Sequence, residues 1–363
     1  GGHRHGDNLF AESILCLDLN TGKRLWHFQT VHHGLWDYDN PAAPNLLDIT
    51  VNGRRIKAVV QVTKQAFTYV LDRVTGQPVW PIEERPVPQT KVPGEQTSPT
   101  QPHPSRPAPY EMHGLTIDDL VDYTPELRQR ATEILSEWDY GPSLFVPPLH
   151  STNAEGKKGA IFCPSAGGGS NIPGGTAADR ETGIIYVASV KSCSDFVLIP
   201  GDERDRQLSG QSGLTPVQWS HSPVEGGGLG SIEGIPIFKP PYGRITAIDM
   251  NTGEHLWWIP NGDTPERLTN HPLLQGVDLP NTGQPAHATA MVTRTLLMYG
   301  EGRGGLPRFH AVDKQTGERV GTVELPAQTD TAPMTFMHEG VQYIVTAVSG
   351  NDLPGSLVAL RLP

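Results

Sequence analysis

The chain has 363 residues, of which 40 are glycine, 34 are proline and 36% are hydrophobic, a composition that suits a large, loop-rich globular protein and excludes a helical bundle or a disordered chain. With 39 acidic against 28 basic residues the formal net charge is -11, and no lysine/arginine cluster offers a footprint for phosphate backbones, so nucleic acid is not an expected partner. No run of eighteen apolar residues is present, and the opening "GGHRHGDNLFAES" lacks the apolar stretch of a signal peptide.

In chain order, the first predicted element is a hairpin at "LDLNTGKRLW", starting at Leu17. Its pattern returns as "LDRVTGQPVW" at Leu71, "ADRETGIIYV" at Ala178, "IDMNTGEHLW" at Ile248 and "VDKQTGERVG" at Val312. All five share D-x-x-T-G, which average residue usage would produce roughly 0.1 times in a chain of this size. In each, an apolar strand ends at the Asp, the Asx side chain and the Gly shape a tight turn, and a second strand follows. Trp26, Trp80 and Trp257 stand eight positions after the Asp, Tyr186 stands seven after, and the fifth copy has Gly321. Repeats of this size, closed by an aromatic residue, fit the blades of a β-propeller, with the tryptophans locking blade to blade.

Between the first two hairpins lies "VHHGLWDYDNP", Val31 to Pro41, a dense group of ionisable and aromatic residues on a loop. His32 and His33 do not make a zinc pair, because adjacent residues of an extended segment face opposite ways. His3 and His5 share a face near the start of the chain. The aspartates of the repeat are 54, 107, 70 and 64 residues apart, and the long interval hides a degenerate blade or an insertion. Residues 82–150 supply an insertion: a proline-rich stretch, then a helix with Thr124 as N-cap and Pro125 at its first position, running to about Trp138. The segment is expected to cap one face of the disc. Cys16, Cys163 and Cys193 are far apart, form no CxxC pair, and read as buried or free thiols. The glycines of "SAGGGS" are followed by no GK[ST], so they make no phosphate loop; they are expected to let the backbone pass close to a cofactor.

Taken together, the tandem D-x-x-T-G-x-x-x-W units, "HHGLWDYDNPAAPNL", "QVTKQAFTYVLDRVTGQPVWPIEERPVPQ", "GGGSNIPGGTAADRETGIIYVAS" and "APMTFMHEGVQYIVTAVSGN" resemble the quinoprotein dehydrogenases that use pyrroloquinoline quinone (PQQ), in particular the glucose dehydrogenase branch. The resemblance extends over nearly the whole chain. It implies an all-β, eight-bladed propeller with PQQ in the central funnel, of which about five or six blades stand in residues 1–363, as in the C-terminal part of a longer protein.

The chemistry the resemblance implies is oxidation of a sugar or alcohol by hydride transfer to PQQ, assisted by a divalent cation and by a carboxylate that takes the hydroxyl proton. Asp37 matches the family's catalytic base, which also contacts the metal. Trp36 and Tyr38 are expected to pack so that Asp37 points into the funnel. Asp39 faces the same way on an extended segment and is either a second metal ligand or a turn cap. In some relatives an acid at this offset accompanies lanthanide use; in the glucose branch it occurs without it, so Ca²⁺ or Mg²⁺ is expected. Lys64, read as lying on a strand between apolar residues, matches the lysine that hydrogen-bonds the quinone oxygens. Asn171 matches a cofactor-contacting asparagine, although Ile172 stands where many relatives have tryptophan. The resemblance further implies a ubiquinone or cytochrome acceptor, a periplasmic location and membrane association through a preceding segment. The competing expectation is a non-catalytic propeller scaffold resembling the lipoproteins of outer-membrane assembly, which share the D-x-x-T-G unit.

Overall fold

A computed structural model describes residues 4–172, 174–201, 219–222, 229, 231–350 and 353–361; His3 lies outside them. Among the described residues, five antiparallel sheets follow one another along the chain, and three further sheets lie in the connections between and within them. The first pairs β1 (Ser13–Leu17) with β2 (Arg24–Gln29), and the second holds β3 (Asn45–Val51), β4 (Arg54–Val62) and β5 (Thr68–Asp72). After a long connection containing the hairpin β6 (Ile82–Pro86) and β7 (Thr100–Pro104), helix α1 (Pro125–Ser136), β8 (Leu149–His150) and β9 (Ala160–Phe162), the third sheet opens with β10 (Thr176–Asp179) and β11 (Ile184–Val190). It is interrupted by β12 (Ser194–Pro200), β13 (Trp219–Ser222), β14 (Ser231–Ile232) and β15 (Ile235–Pro236), then completed by β16 (Gly243–Asp249) and β17 (Glu254–Pro260). The fourth sheet is β18 (Thr289–Val292), β19 (Leu296–Gly300), β20 (Arg308–Asp313) and β21 (Arg319–Glu324). In the fifth, β22 (Gln328–Thr329) and β23 (Met334–His338) pair one side of β24 (Val341–Gly350), and β25 (Leu353–Arg361) pairs the other.

This is a β-propeller arrangement, and its turns follow from local chemistry. In every D-x-x-T-G copy the glycine N–H donates to the aspartate carbonyl at 2.7–2.9 Å, and the glycine sits at φ between 68° and 77°. Only glycine adopts that backbone at no steric cost. The aspartate carboxylate then takes the N–H two residues on, as Asp72 does from Val74, Asp249 from Asn251 and Asp313 from Gln315, each at 2.8 Å.

The tryptophans lock neighbouring sheets. Trp26 lies over Gly76, where a Cβ would come within 2.7 Å of its ring, and its Nε1 donates to Arg73 O at 3.1 Å. Trp257 lies similarly close against Gly317, where a Cβ would come within 3.0 Å of its ring, while Trp80 stands beside Gly253 at 3.5 Å from the Cβ position, with Arg106 nearer. That series corrects the reading of one blade per repeat copy. Asp179 belongs to the first hairpin of the third sheet, Asp249 to its second, and the fifth sheet has no copy at all. The motif marks a tight strand-to-strand turn, so it recurs wherever that turn is needed.

Apolar residues fill each inter-sheet layer: Val60, Val62 and Val70 meet Ile185, Val187 and Met250, and Tyr186 and Ala247 meet Leu297 and Val312. The connection between the second and third sheets runs from residue 73 to 175 and includes residues 82–150, the stretch read as an insertion. Helix α1 is capped by Thr124, whose side chain accepts from Leu127 N, and buries Leu127, Ala131 and Leu135. It ends at Ser136, and Trp138 packs into the same core just beyond it. The interruption at 191–242, within the third sheet, was not foreseen.

Cys163 and Cys193 form a disulfide, and Cys16 is free; this corrects the expectation of three separate thiols. The cause is tertiary. β9 and β12 pair with Phe162 opposite Ser194, which brings together cysteines that are 30 residues apart in the chain.

Candidate active site

Strand direction alternates, so the D-x-x-T-G turns open on one face of the disc while the loop 30–44, the β4–β5 turn at 63–67 and the loop 165–175 open on the other. The sequence-derived candidates gather on that second face. Trp36 and Tyr38 are buried, Trp36 Nε1 donates to Val146 O at 2.7 Å and Tyr38 OH donates to Pro164 O at 2.6 Å. With those two rings anchored in the insertion, Asp37 and Asp39 are left outward, their side chains 69% and 54% exposed. The segment is not plainly extended, since Asp37 has φ 59°.

Lys64 stands in the turn after β4 and not on a strand, because the chain reverses between Thr63 and Phe67. Its side chain is 8% exposed. The ammonium donates to Asp37 O at 3.0 Å, to Asp37 Oδ2 at 3.2 Å and, in a still shorter contact, to Asp39 Oδ1. One cation thus joins both carboxylates. Asn171 is brought to the same face through the neighbouring Ser170, whose N–H donates to Thr63 O at 3.2 Å. Its own amide is engaged within its loop, donating to Ala166 O and accepting from Ile172 N. A Cβ on Gly169 would collide with the Lys64 carbonyl, so the glycines of "SAGGGS" allow this loop to lie on the Lys64 turn.

The imidazoles of His32 and His33 diverge. His32 bonds Gln29 Oε1 and Glu84 Oε1, whereas His33 Nδ1 donates to Gly6 O at 2.8 Å. Among the described residues no three His, Cys, Asp or Glu side chains gather as a metal set. The carboxylates of Asp37 and Asp39, both paired with Lys64, are oxygen ligands of the kind a hard cation takes.

Two features gave no sequence signal. Glu12 reaches the notch at Gly34, where a Cβ would run into its carboxylate; burial pushes its carboxyl up, Asp39 and Asp37 add to that, and Arg4 opposes it. Tyr110 and His113, from the insertion, hold the Lys64 turn. Their partners are nearly fifty residues away, so no local pattern could have found them.

A family model described as the β-propeller domain of PQQ glucose/ethanol/alcohol dehydrogenases matches residues 1–344. The chain belongs to that family. The chain is 31% identical over its whole length to the quinoprotein glucose dehydrogenase of Escherichia coli K12, covering 46% of that protein. Over 96% of its length it is 30% identical to the quinate/shikimate dehydrogenase (quinone) of Acinetobacter baylyi, covering 43% of it. It therefore spans less than half the length of these relatives. A europium-containing methanol dehydrogenase shares the fold with a TM-score of 0.55 at 20% identity, over 94% of this chain and 45% of that one.

Proposed function

We propose that this chain is the part of a PQQ-dependent dehydrogenase that carries the catalytic base, and that the whole enzyme oxidises a hydroxyl of a sugar, a polyol or another alcohol. The carrying observation is the convergence of Asp37, Asp39 and Lys64 on the open face of the propeller, at side chains 8% to 69% exposed. Bound PQQ would supply the hydride acceptor, and a bound Ca²⁺ or Mg²⁺ the Lewis acid.

The chain's own residues do the rest. Asp37, accessible and held beside an ammonium, takes the hydroxyl proton of the substrate on a carboxylate oxygen. Asp39 and Asp37 would hold the cation together. Lys64 places a fixed positive charge where negative charge develops on the cofactor, and Asn171 would contact the cofactor from the adjoining loop. The names of the relatives, glucose and quinate/shikimate dehydrogenases, widen the substrate class from sugars to hydroxy acids. A quinone or cytochrome acceptor and a periplasmic site of action complete the proposal. A non-catalytic scaffold would give no role to two carboxylates and an ammonium drawn together at the mouth of the disc.

The test is dye reduction by the complete reading frame that contains this chain, reconstituted with PQQ and Ca²⁺, on glucose, quinate and simple alcohols. Asp37→Asn is expected to lower kcat by about 10²- to 10⁴-fold, the usual contribution of a positioned general base, while PQQ is still bound. Failure of the unaltered protein to bind PQQ would overturn the proposal.

A further inference from the structure

The turn that carries Lys64 is not self-sufficient. Ala66 has φ 63°, a left-handed backbone that is strained for any residue with a Cβ. Gln65 is fully buried, yet neither atom of its side-chain amide has a hydrogen-bond partner. A turn with one strained residue and one unsatisfied amide persists only if its surroundings over-determine it.

Those surroundings come from the insertion. Tyr110, fully buried, donates its hydroxyl proton to Thr63 O at 2.5 Å and accepts from Thr63 N at 3.0 Å. Its backbone N–H donates to Ala66 O at 3.1 Å. His113 Nε2 donates to Gln65 O at 2.7 Å, and its ring stands edge-on to Phe67 at 4.6 Å. Thr63 and Gln65, which flank Lys64 on both sides, are thus pinned through their backbones by two side chains nearly fifty residues away, and Ala66 is held by the backbone of Tyr110. Tyr110 is itself held: its carbonyl takes a short hydrogen bond from the Arg244 guanidinium, and the next residue, Glu111, lies 3.4 Å from Arg244 Nε.

A lysine reaches its target on a flexible four-carbon stem, so the placement of its charge depends on the placement of its Cα. We propose that Tyr110 and His113 are positioning residues for Lys64, fixing the β4–β5 turn so that the ammonium stands at the cofactor. The inference rests on the reading of Lys64 as a cofactor contact.

It is tested in the complete reading frame with Ca²⁺ by titrating PQQ and by following amide hydrogen exchange at residues 63–67 without PQQ, with thermal melts to verify folding. Tyr110→Phe removes both hydrogen bonds of the buried hydroxyl to Thr63 and is expected to weaken PQQ binding about tenfold or more and to speed exchange in the turn. In a Lys64→Ala background the same change should alter affinity less than about twofold, since it acts through the missing ammonium. His113→Phe keeps the ring and removes the donor, and should also weaken binding; His113→Gln, whose amide can donate to Gln65 O, should recover most of it. That pair decides the matter if Tyr110→Phe does not fold. Unchanged PQQ affinity, or an equal loss with and without Lys64, would overturn the inference. Faster exchange in the variants of a protein that binds no PQQ would instead strike down the cofactor role of Lys64 and leave the brace standing.

Discussion

His113 shows how a single side chain couples the turn to pH. Burial, with a smaller push from His103 against the bond to Gln65, lowers its pKa from 6.5 to about 4. The folded state therefore holds it neutral while the unfolded chain can protonate it. The stability involved is fully present above pH 6.5 and is lost as pH falls toward about 4, by roughly 3 kcal/mol. His33, His103, His255 and His287 are lowered by burial too and add in the same direction. Urea melts at pH 7.5, 6 and 5 should show this fall, and His113→Phe should flatten it; an equal slope in that variant would show that the imidazole is not the group responsible. At this scale the sequence was legible where residue types cluster. Asp37, Asp39 and Lys64 stood out by spacing and resemblance, and the fold brings all three together. Tyr110 and His113 gave no signal, because a tyrosine amid prolines carries no pattern until the turn it holds is known.

The elements divide in the same way. The D-x-x-T-G hairpins were readable because the Asp carboxylate, the Thr and the left-handed Gly act within one turn, as did the capping of α1 by Thr124 and Pro125. The tryptophans were expected as blade locks, but their contact with the glycine of another copy, and the order that takes Trp80 past Gly183 to Gly253, were decided by insertions that separate sequence neighbours. The disulfide belongs to those insertions. It closes a loop of 30 residues between β9 and β12, and the loop-entropy argument gives it about 3–4 kcal/mol. Replacing both cysteines by serine should lower stability by that amount in denaturant melts. Thiol titration of the unfolded chain should yield one reactive group, Cys16, before reduction and three after it; three groups without reductant would mean that the bond does not form.

For the whole molecule, the first and last sheets leave large apolar side chains in solvent. Leu15, Leu17 and Leu25 project from the first, and Met334, Phe336, Met337 and Leu357 from the last, Leu357 being 78% exposed. Apolar groups in such number on sheet faces favour association. Residues 1–363 alone are expected to elute as oligomers in size-exclusion chromatography with light scattering at micromolar concentration, and Leu25→Lys combined with Leu357→Lys should shift them toward monomer; a monomeric unaltered chain would refute this. The sequence by itself determined the repeat, its turns and the placement of its tryptophans, and singled out Asp37 and Lys64 as candidates, because each depends on residues within a few positions of one another or on a motif kept whole. The tertiary structure alone decided that two copies share one sheet, that Cys163 meets Cys193, and that the insertion supports the Lys64 turn. Those facts rest on contacts between segments tens of residues apart, whose pairing is set by packing and strand register and leaves no periodic trace in the chain.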